Sequence, residues 1–383
     1  MTHKNNVFIR LLDYYIYECF TTILGFLGYN LIISGLVIIL YIICVNVLFY
    51  LIGDSQVPGV RERVLKYIPL LKEKGINSKI YTAGDVPAGK LAKLKFYSTR
   101  FINDLKWADA FYNYRVLFSS KELFLIKQFS KKIIFDFDDA IFDFPVEPKF
   151  SEKEKKARTQ RLKAFINACD KIIAGNSYLK SETKQRFGKD SEIIPTCLDM
   201  DYYKPGKSGA SETTTIGWTG MSANNHYLKE TVVPLKMIKE KYAEKVRIKI
   251  VSDRAPDFFD FKFEFKKWEL NNEISDLHSF DIGIMPLSKE DEWAKGKCSF
   301  KALQYMAVEK PVVLTPLGMN KDVISDGKEG FFAETQKDWT EKLIRLIIDR
   351  PLRQKMGKFG RERVQKYYSK EIALDKLLCV ISA

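Results

Sequence analysis

The sequence predicts an α/β protein of two successive domains, each a parallel sheet with helices on both faces. Three observations carry that expectation. Short apolar runs recur along the chain with helical stretches between most of them, the pattern of repeated strand–helix–strand units. The series is interrupted once, by the Pro- and Gly-containing stretch Asp199–Ser211, and then begins again. The length of 383 residues suits two medium domains, and a hydrophobic content of 46% is ample for two cores.

Taken in order, the chain opens unusually. From Cys19 to Gly53 there is no charged residue. We expect Phe20 to Ile43 to form a membrane-spanning helix, so that residues 1–44 are a tail and membrane segment. A buried helix of the globular part is the other reading. Lys4 and Arg10 precede the span and Arg61, Arg63 and Lys66 follow it, a slight excess that puts the catalytic part on the cytoplasmic side. The first domain, 45–205, has expected strands at Val45–Ile52, Ser78–Tyr81, Asp109–Asn113, Lys132–Phe137, Lys171–Ala174 and Glu192–Pro195. The second, 206–364, has them at Thr214–Trp218, Val246–Val251, Asp281–Pro286, Pro311–Thr315 and Gly330–Ala333. Residues 365–383 are expected to form a helix that packs back toward the first domain. Two such domains in series hold a ligand in the cleft between them, at the C-terminal ends of the strands.

Composition narrows the function classes. A net charge of +14 attracts polyanions, among them anionic lipid and nucleotide diphosphates. The basic residues are scattered, with no zinc-finger spacing or basic heptad region, which disfavours nucleic acid. Six isolated cysteines form no C-x-x-C pair, consistent with a reducing environment. With only His3, His226 and His278, a His-rich metal site is disfavoured.

The stretch Lys295–Val313, KGKCSFKALQYMAVEKPVV, reads as loop, helix and buried strand. Lys297 and Lys301 are four apart and so expected on one helical face, with Gln304 a turn further on. A helix N-terminus bearing lysines suits a diphosphate, because free N–H groups, the helix dipole and side-chain charge all favour an anion. An amphipathic helix with solvated lysines is the alternative. The segment, with Thr315–Gly318, IxDGKEGFF from Ile324 to Phe332, and Met356, Gly357, Gly360, Arg361, Val364, Tyr368 and Ser369, resembles the donor-binding half of retaining GT-B glycosyltransferases of family 4. The resemblance covers most of the last hundred residues. It departs at the family's two glutamates, whose positions fall on Gly296 and Gln304.

In the first half, GDSQVPGVRERVLKYIPLLKEKG is similar to the opening strand–loop–helix of a subgroup of these enzymes. The subgroup turns the glycine-containing loop, here with Gly59, toward the cleft, where Arg61 or Arg63 would face an anion, and Arg115 matches a basic residue of the subgroup; an ordinary turn and helix start is the alternative. Asp136-Phe137-Asp138-Asp139 closes a buried strand and admits several readings. In the subgroup, D-F-D-D stands between donor and acceptor. In a haloacid-dehalogenase-type phosphohydrolase, Asp136 would be the nucleophile and Asp138 the acid–base. In a GT-A enzyme, D-x-D binds a manganese–diphosphate complex, which the downstream architecture does not suit. An aspartate capping the next helix is the plain structural alternative.

In the second half, IGWTGMSANNHYL places Gly220 in a turn where backbone approaches phosphate, with Asn224 and Asn225 where family members carry Arg and Lys. The resemblance implies two Rossmann-like domains facing a central cleft. It also implies sugar transfer from a nucleotide diphosphate sugar to a lipid-linked or cell-surface glycan acceptor, with retention and no required metal or other cofactor. It assigns Gly220, Asn225, Arg254, Lys297, Ser299, Lys301 and Gln304 to the donor, and Gly59, Arg63 and Arg115 to the acceptor side. Asp138 and Asp139 would orient the acceptor hydroxyl or stabilise positive charge on the sugar. A phosphohydrolase using Asp136 and Asp138, and a silent scaffold of the same fold, are the competing functions.

Overall fold

The computed structural model describes residues 45–145, 150–206 and 212–383. The expected membrane segment, 20–43, lies outside them. Among the described residues, no helix is long and apolar enough to cross a membrane.

Two six-stranded parallel sheets organise the chain. The first comprises β1 (Val45–Leu51), β2 (Ile76–Thr82), β3 (Ala110–Tyr114), β4 (Ile133–Phe137), β5 (Lys171–Ala174) and β6 (Glu192–Ile193), in the order β2-β1-β3-β4-β5-β6. The second comprises β7 (Thr214–Thr219), β8 (Val246–Ser252), β9 (Glu264–Lys267), β10 (Ile282–Met285), β11 (Val312–Leu314) and β12 (Gly330–Phe332), in the order β12-β11-β10-β7-β8-β9. Central strands read as continuous apolar runs because helices cover both faces of a parallel sheet. In β1 the last five residues, Val47–Leu51, are all buried. Strand β9 (EFKK) was not anticipated. It is a half-exposed edge strand whose single apolar residue, Phe265, is itself exposed, so no apolar pattern marks it.

The first core is aromatic. Phe101 is fully buried, with ring centroids 5.9 Å from Tyr50, 5.2 Å from Tyr97 and 6.1 Å from Phe111. Such offset and edge-on pairs add to area burial.

The chain passes between the sheets twice. After β6 it runs through Leu198 to Gly206, where Arg361 holds the carbonyls of Tyr203 and Met200. It returns through Tyr368–Ser369, where Leu198 N–H donates to the Tyr368 carbonyl at 2.8 Å and Lys370 N–H to the Leu198 carbonyl at 2.8 Å. The last helix, Lys370–Ser382, lies against the first sheet's layer, and Lys132 donates to its Ile381 carbonyl at 3.1 Å.

Candidate active site

Where the strand order reverses in each sheet, adjacent loops diverge and leave a crevice. The two crevices face one another and form a single cleft of about 1040 Å³, open mouth included. The first sheet contributes Val57–Gly59 after β1, Arg115 after β3, and Asp138 and Asp139 after β4. The second contributes Thr219–Met221 after β7, Trp268 and Glu273 after β9, and the stretch from Lys297 to Lys301 with Gln304.

The acidic wall is ordered from below. Asp138 Oδ1 accepts the Tyr114 hydroxyl at 2.8 Å and Arg115 Nη1 at 3.2 Å. Asp139 pairs with Arg115 Nη1 at 2.7 Å and with Lys297 Nζ at 3.3 Å. Burial alone would raise the Asp139 carboxyl, but Lys297 and Arg115 together hold it below the usual carboxylate range. Arg115 has φ 63°, a left-handed conformation that costs a non-glycine residue energy. Its buried Nε has no hydrogen-bond partner. Gly59 is a glycine for want of space: a Cβ would lie 2.1 Å from the Tyr114 hydroxyl oxygen and 3.3 Å from Asp138 Oδ2.

Across the cleft stands a cationic wall. The helix Phe300–Ala307 begins after Ser299, itself left-handed at φ 52°. Lys297 therefore sits in the preceding loop, and the expected shared helical face is corrected. The left-handed turn still brings both lysines to the cleft. A Cβ on Gly220 would lie 2.5 Å from Lys301 Cε, so glycine here makes room for the lysine side chain. Lys301 Nζ lies 5.5 Å from the centroid of the Trp218 ring. Burial first, then the like charge of Lys297, push its pKa down to about 7, against the opposing pull of Asp139.

Other expected site residues fall differently. Ser299 lines the cleft but is fully buried, and its hydroxyl donates to Asn320 Oδ1 at 2.7 Å. Gln304 lines the cleft and donates to the Tyr203 hydroxyl at 3.1 Å. Asn225 lies behind the wall: it donates to the Arg254 carbonyl at 3.0 Å, while Asn224 takes the cleft position. Arg254 is exposed and is not among the residues that line the cleft. Arg63 is corrected most. It is 4% exposed beneath the cleft floor, donating through Nε to Asp136 Oδ2 at 3.2 Å and through Nη1 to Thr196 at 3.1 Å. Asp136 is 1% exposed, and Arg63 and the Tyr112 hydroxyl, at 2.7 Å, engage its oxygens. A phosphohydrolase nucleophile needs an open oxygen, so the reading that used Asp136 is set aside. Gly296 accounts for one missing carboxylate: a Cβ there would lie 2.5 Å from the Ala140 nitrogen, where the two domains meet. Sequence reasoning missed Glu273, Tyr203 and Thr196. Trp268 also lines the cleft.

A protein-family model described as "Glycosyl transferases group 1" matches residues 277–363, which contain the whole cationic wall from Lys297 to Gln304. The chain carries a glycosyl transferases group 1 domain. A capsular polysaccharide biosynthesis glycosyltransferase, CapM of Staphylococcus aureus, is 25% identical over 178 residues; the alignment covers 44% of this chain and 45% of CapM. The chain thus matches less than half the length of that relative. Among solved structures, a glycosyltransferase from Rickettsia africae superposes with a TM-score of 0.66 at 15% identity, over 88% of this chain and 98% of that one. Anabaena HepE, solved with UDP and glucose, superposes with a TM-score of 0.63 at 13% identity, over 88% of this chain and 99% of that one. These likenesses establish the GT-B fold for the two-sheet architecture around the group 1 domain.

Proposed function

We propose that the protein transfers a sugar from a nucleotide diphosphate sugar to a lipid-linked or cell-surface glycan acceptor, with retention at the anomeric carbon and without a required metal. One observation carries the reading: Lys297 and Lys301, within the group 1 match, and the Gly220 turn after β7 of the same sheet meet Asp138, Asp139 and Arg115 of the other domain across one cleft. Charge develops on the departing diphosphate, and preset cations with free helix N–H groups stabilise it without reorganising. Asp138 and Asp139, already held by Tyr114 and Arg115, face the same space and orient an acceptor hydroxyl. UDP in HepE and the capsule role named for CapM support a nucleotide sugar and a surface glycan. The uncharged run Cys19–Gly53 supports membrane attachment with the catalytic part on the cytoplasmic face.

The test is thermal stabilisation of the full-length protein by UDP, GDP, ADP, CMP and their sugars, with and without Mg²⁺. The expected result is a shift with one nucleotide family, independent of Mg²⁺ and lost in Lys301→Ala. No shift with any of them, in folded protein, refutes the reading and favours a silent scaffold.

A further inference from the structure

One end of the cleft holds a carboxylate that the diphosphate chemistry does not use. Glu273 opens the short helix Glu273–His278, is 5% exposed and forms part of the cleft wall beside Trp268. Its Oε1 accepts the Tyr203 hydroxyl at 2.8 Å, and its Oε2 lies 3.4 Å from Arg61 Nη2. Gln304 donates its amide nitrogen to the same phenol oxygen at 3.1 Å. The hydrogens therefore run one way, from amide to phenol to carboxylate. Gln304 gives one amide N–H to the phenol and keeps its carbonyl oxygen as an acceptor, and an ionised Glu273 only accepts. Two neighbouring acceptors in a cleft wall match a ligand group with two neighbouring hydroxyl donors.

We infer that Glu273 recognises the vicinal diol of the donor's ribose, held for that task by Tyr203 and Gln304. The inference rests on the nucleotide-sugar reading above. It also explains the neutral residue at 304. A glutamate there would put a second carboxylate on the Tyr203 phenol, while the nearby cation, Arg61, is already shared between Glu62 and Glu273. Like charges in one buried site oppose ionisation of both. The wall carries its negative charge at 273, and the amide at 304 fixes the direction of the relay.

The test is isothermal titration of the full-length protein with UDP, GDP and ADP and with their 2′-deoxy and 3′-deoxy forms, in wild type, Glu273→Gln and Tyr203→Phe. For whichever base binds, removing one ribose hydroxyl is expected to weaken wild type by about tenfold or more, the scale of a hydrogen bond to a charged acceptor. In Glu273→Gln that ratio should fall to about threefold, as for a neutral acceptor. Tyr203→Phe, which removes the phenol from Glu273, should lower the ratio as well and serves if Glu273→Gln does not fold. A merely structural role would weaken ribose and deoxyribose forms alike. An unchanged ratio in the variants overturns the inference, whereas wild type binding none of the nucleotides overturns the nucleotide-sugar reading itself.

Discussion

Replacing Lys301 with methionine tests how the cationic wall is charged. In the free protein the lysine titrates near 7, because burial and Lys297 disfavour its ammonium form. A diphosphate brings negative charge to that ammonium and raises its pKa. The complex then holds a proton that the free protein has lost above neutrality. At pH 6 about nine-tenths of free side chains are already protonated, and at pH 8.5 about 3% are, so binding takes up about 0.1 and about one proton respectively. Affinity should fall about thirtyfold over the same interval, as long as the bound pKa stays above about 9.5. The assay is titration calorimetry with the intact nucleotide sugar, whose diphosphate diester does not itself titrate there, in two buffers of different ionisation heat. Lys301→Met should bind weakly and show no proton uptake at pH 8.5. Absent uptake in wild type at pH 8.5, or equal uptake in the variant, would refute the argument. The same depressed pKa has a stability consequence of opposite sign to function. A lysine whose folded pKa lies below its unfolded value destabilises the ligand-free protein fully below about pH 7 and not at all above about 10.5. Lys301→Met should therefore raise stability by about 1–2 kcal/mol at pH 7, with the gain shrinking as pH rises.

Other perturbations follow from the buried groups. Arg63→Met strands Asp136 without its guanidinium in a site 1% exposed, and should cost about 3–5 kcal/mol in denaturant unfolding. Gly296→Ala forces a methyl to within 2.5 Å of the Ala140 nitrogen, and should cost about 1–3 kcal/mol and lower turnover by shifting Lys297 from Asp139. Gly296→Glu should do the same rather than improve activity, which steady-state kinetics will show.

Much of the fold was legible because parallel strands buried on both faces are marked by apolar runs, unbroken in Val47–Leu51 and interrupted only by Asp136 in Ile133–Phe137. The half-exposed β9 carries no such mark. The site was legible where a motif names its own residues, as at Lys297, Lys301, Asp138 and Asp139, which the structure brings to one cleft. It was illegible where backbone geometry intervenes. Spacing put Lys297 on the helix, but a left-handed Ser299 delays the helix to Phe300. Arg63 lies one helical turn beyond Gly59 and so drops below the floor to meet Asp136, a partner 73 positions away. Glu273 and Tyr203 meet across 70 positions, one from a short helix and the other from a connecting segment with no pattern to read.

The paired passages between the sheets have a mechanical consequence. Leu198 is bonded on one side to Tyr368 and on the other to Lys370, so the outgoing and returning chains form a two-ply seam rather than two loose tethers. A single tether would let one lobe swivel against the other. A bonded pair suppresses twist and leaves bending about the seam as the soft direction. Opening then parts Lys297 from Asp139 along one path, and every closure returns the lysines and carboxylates to the same alignment.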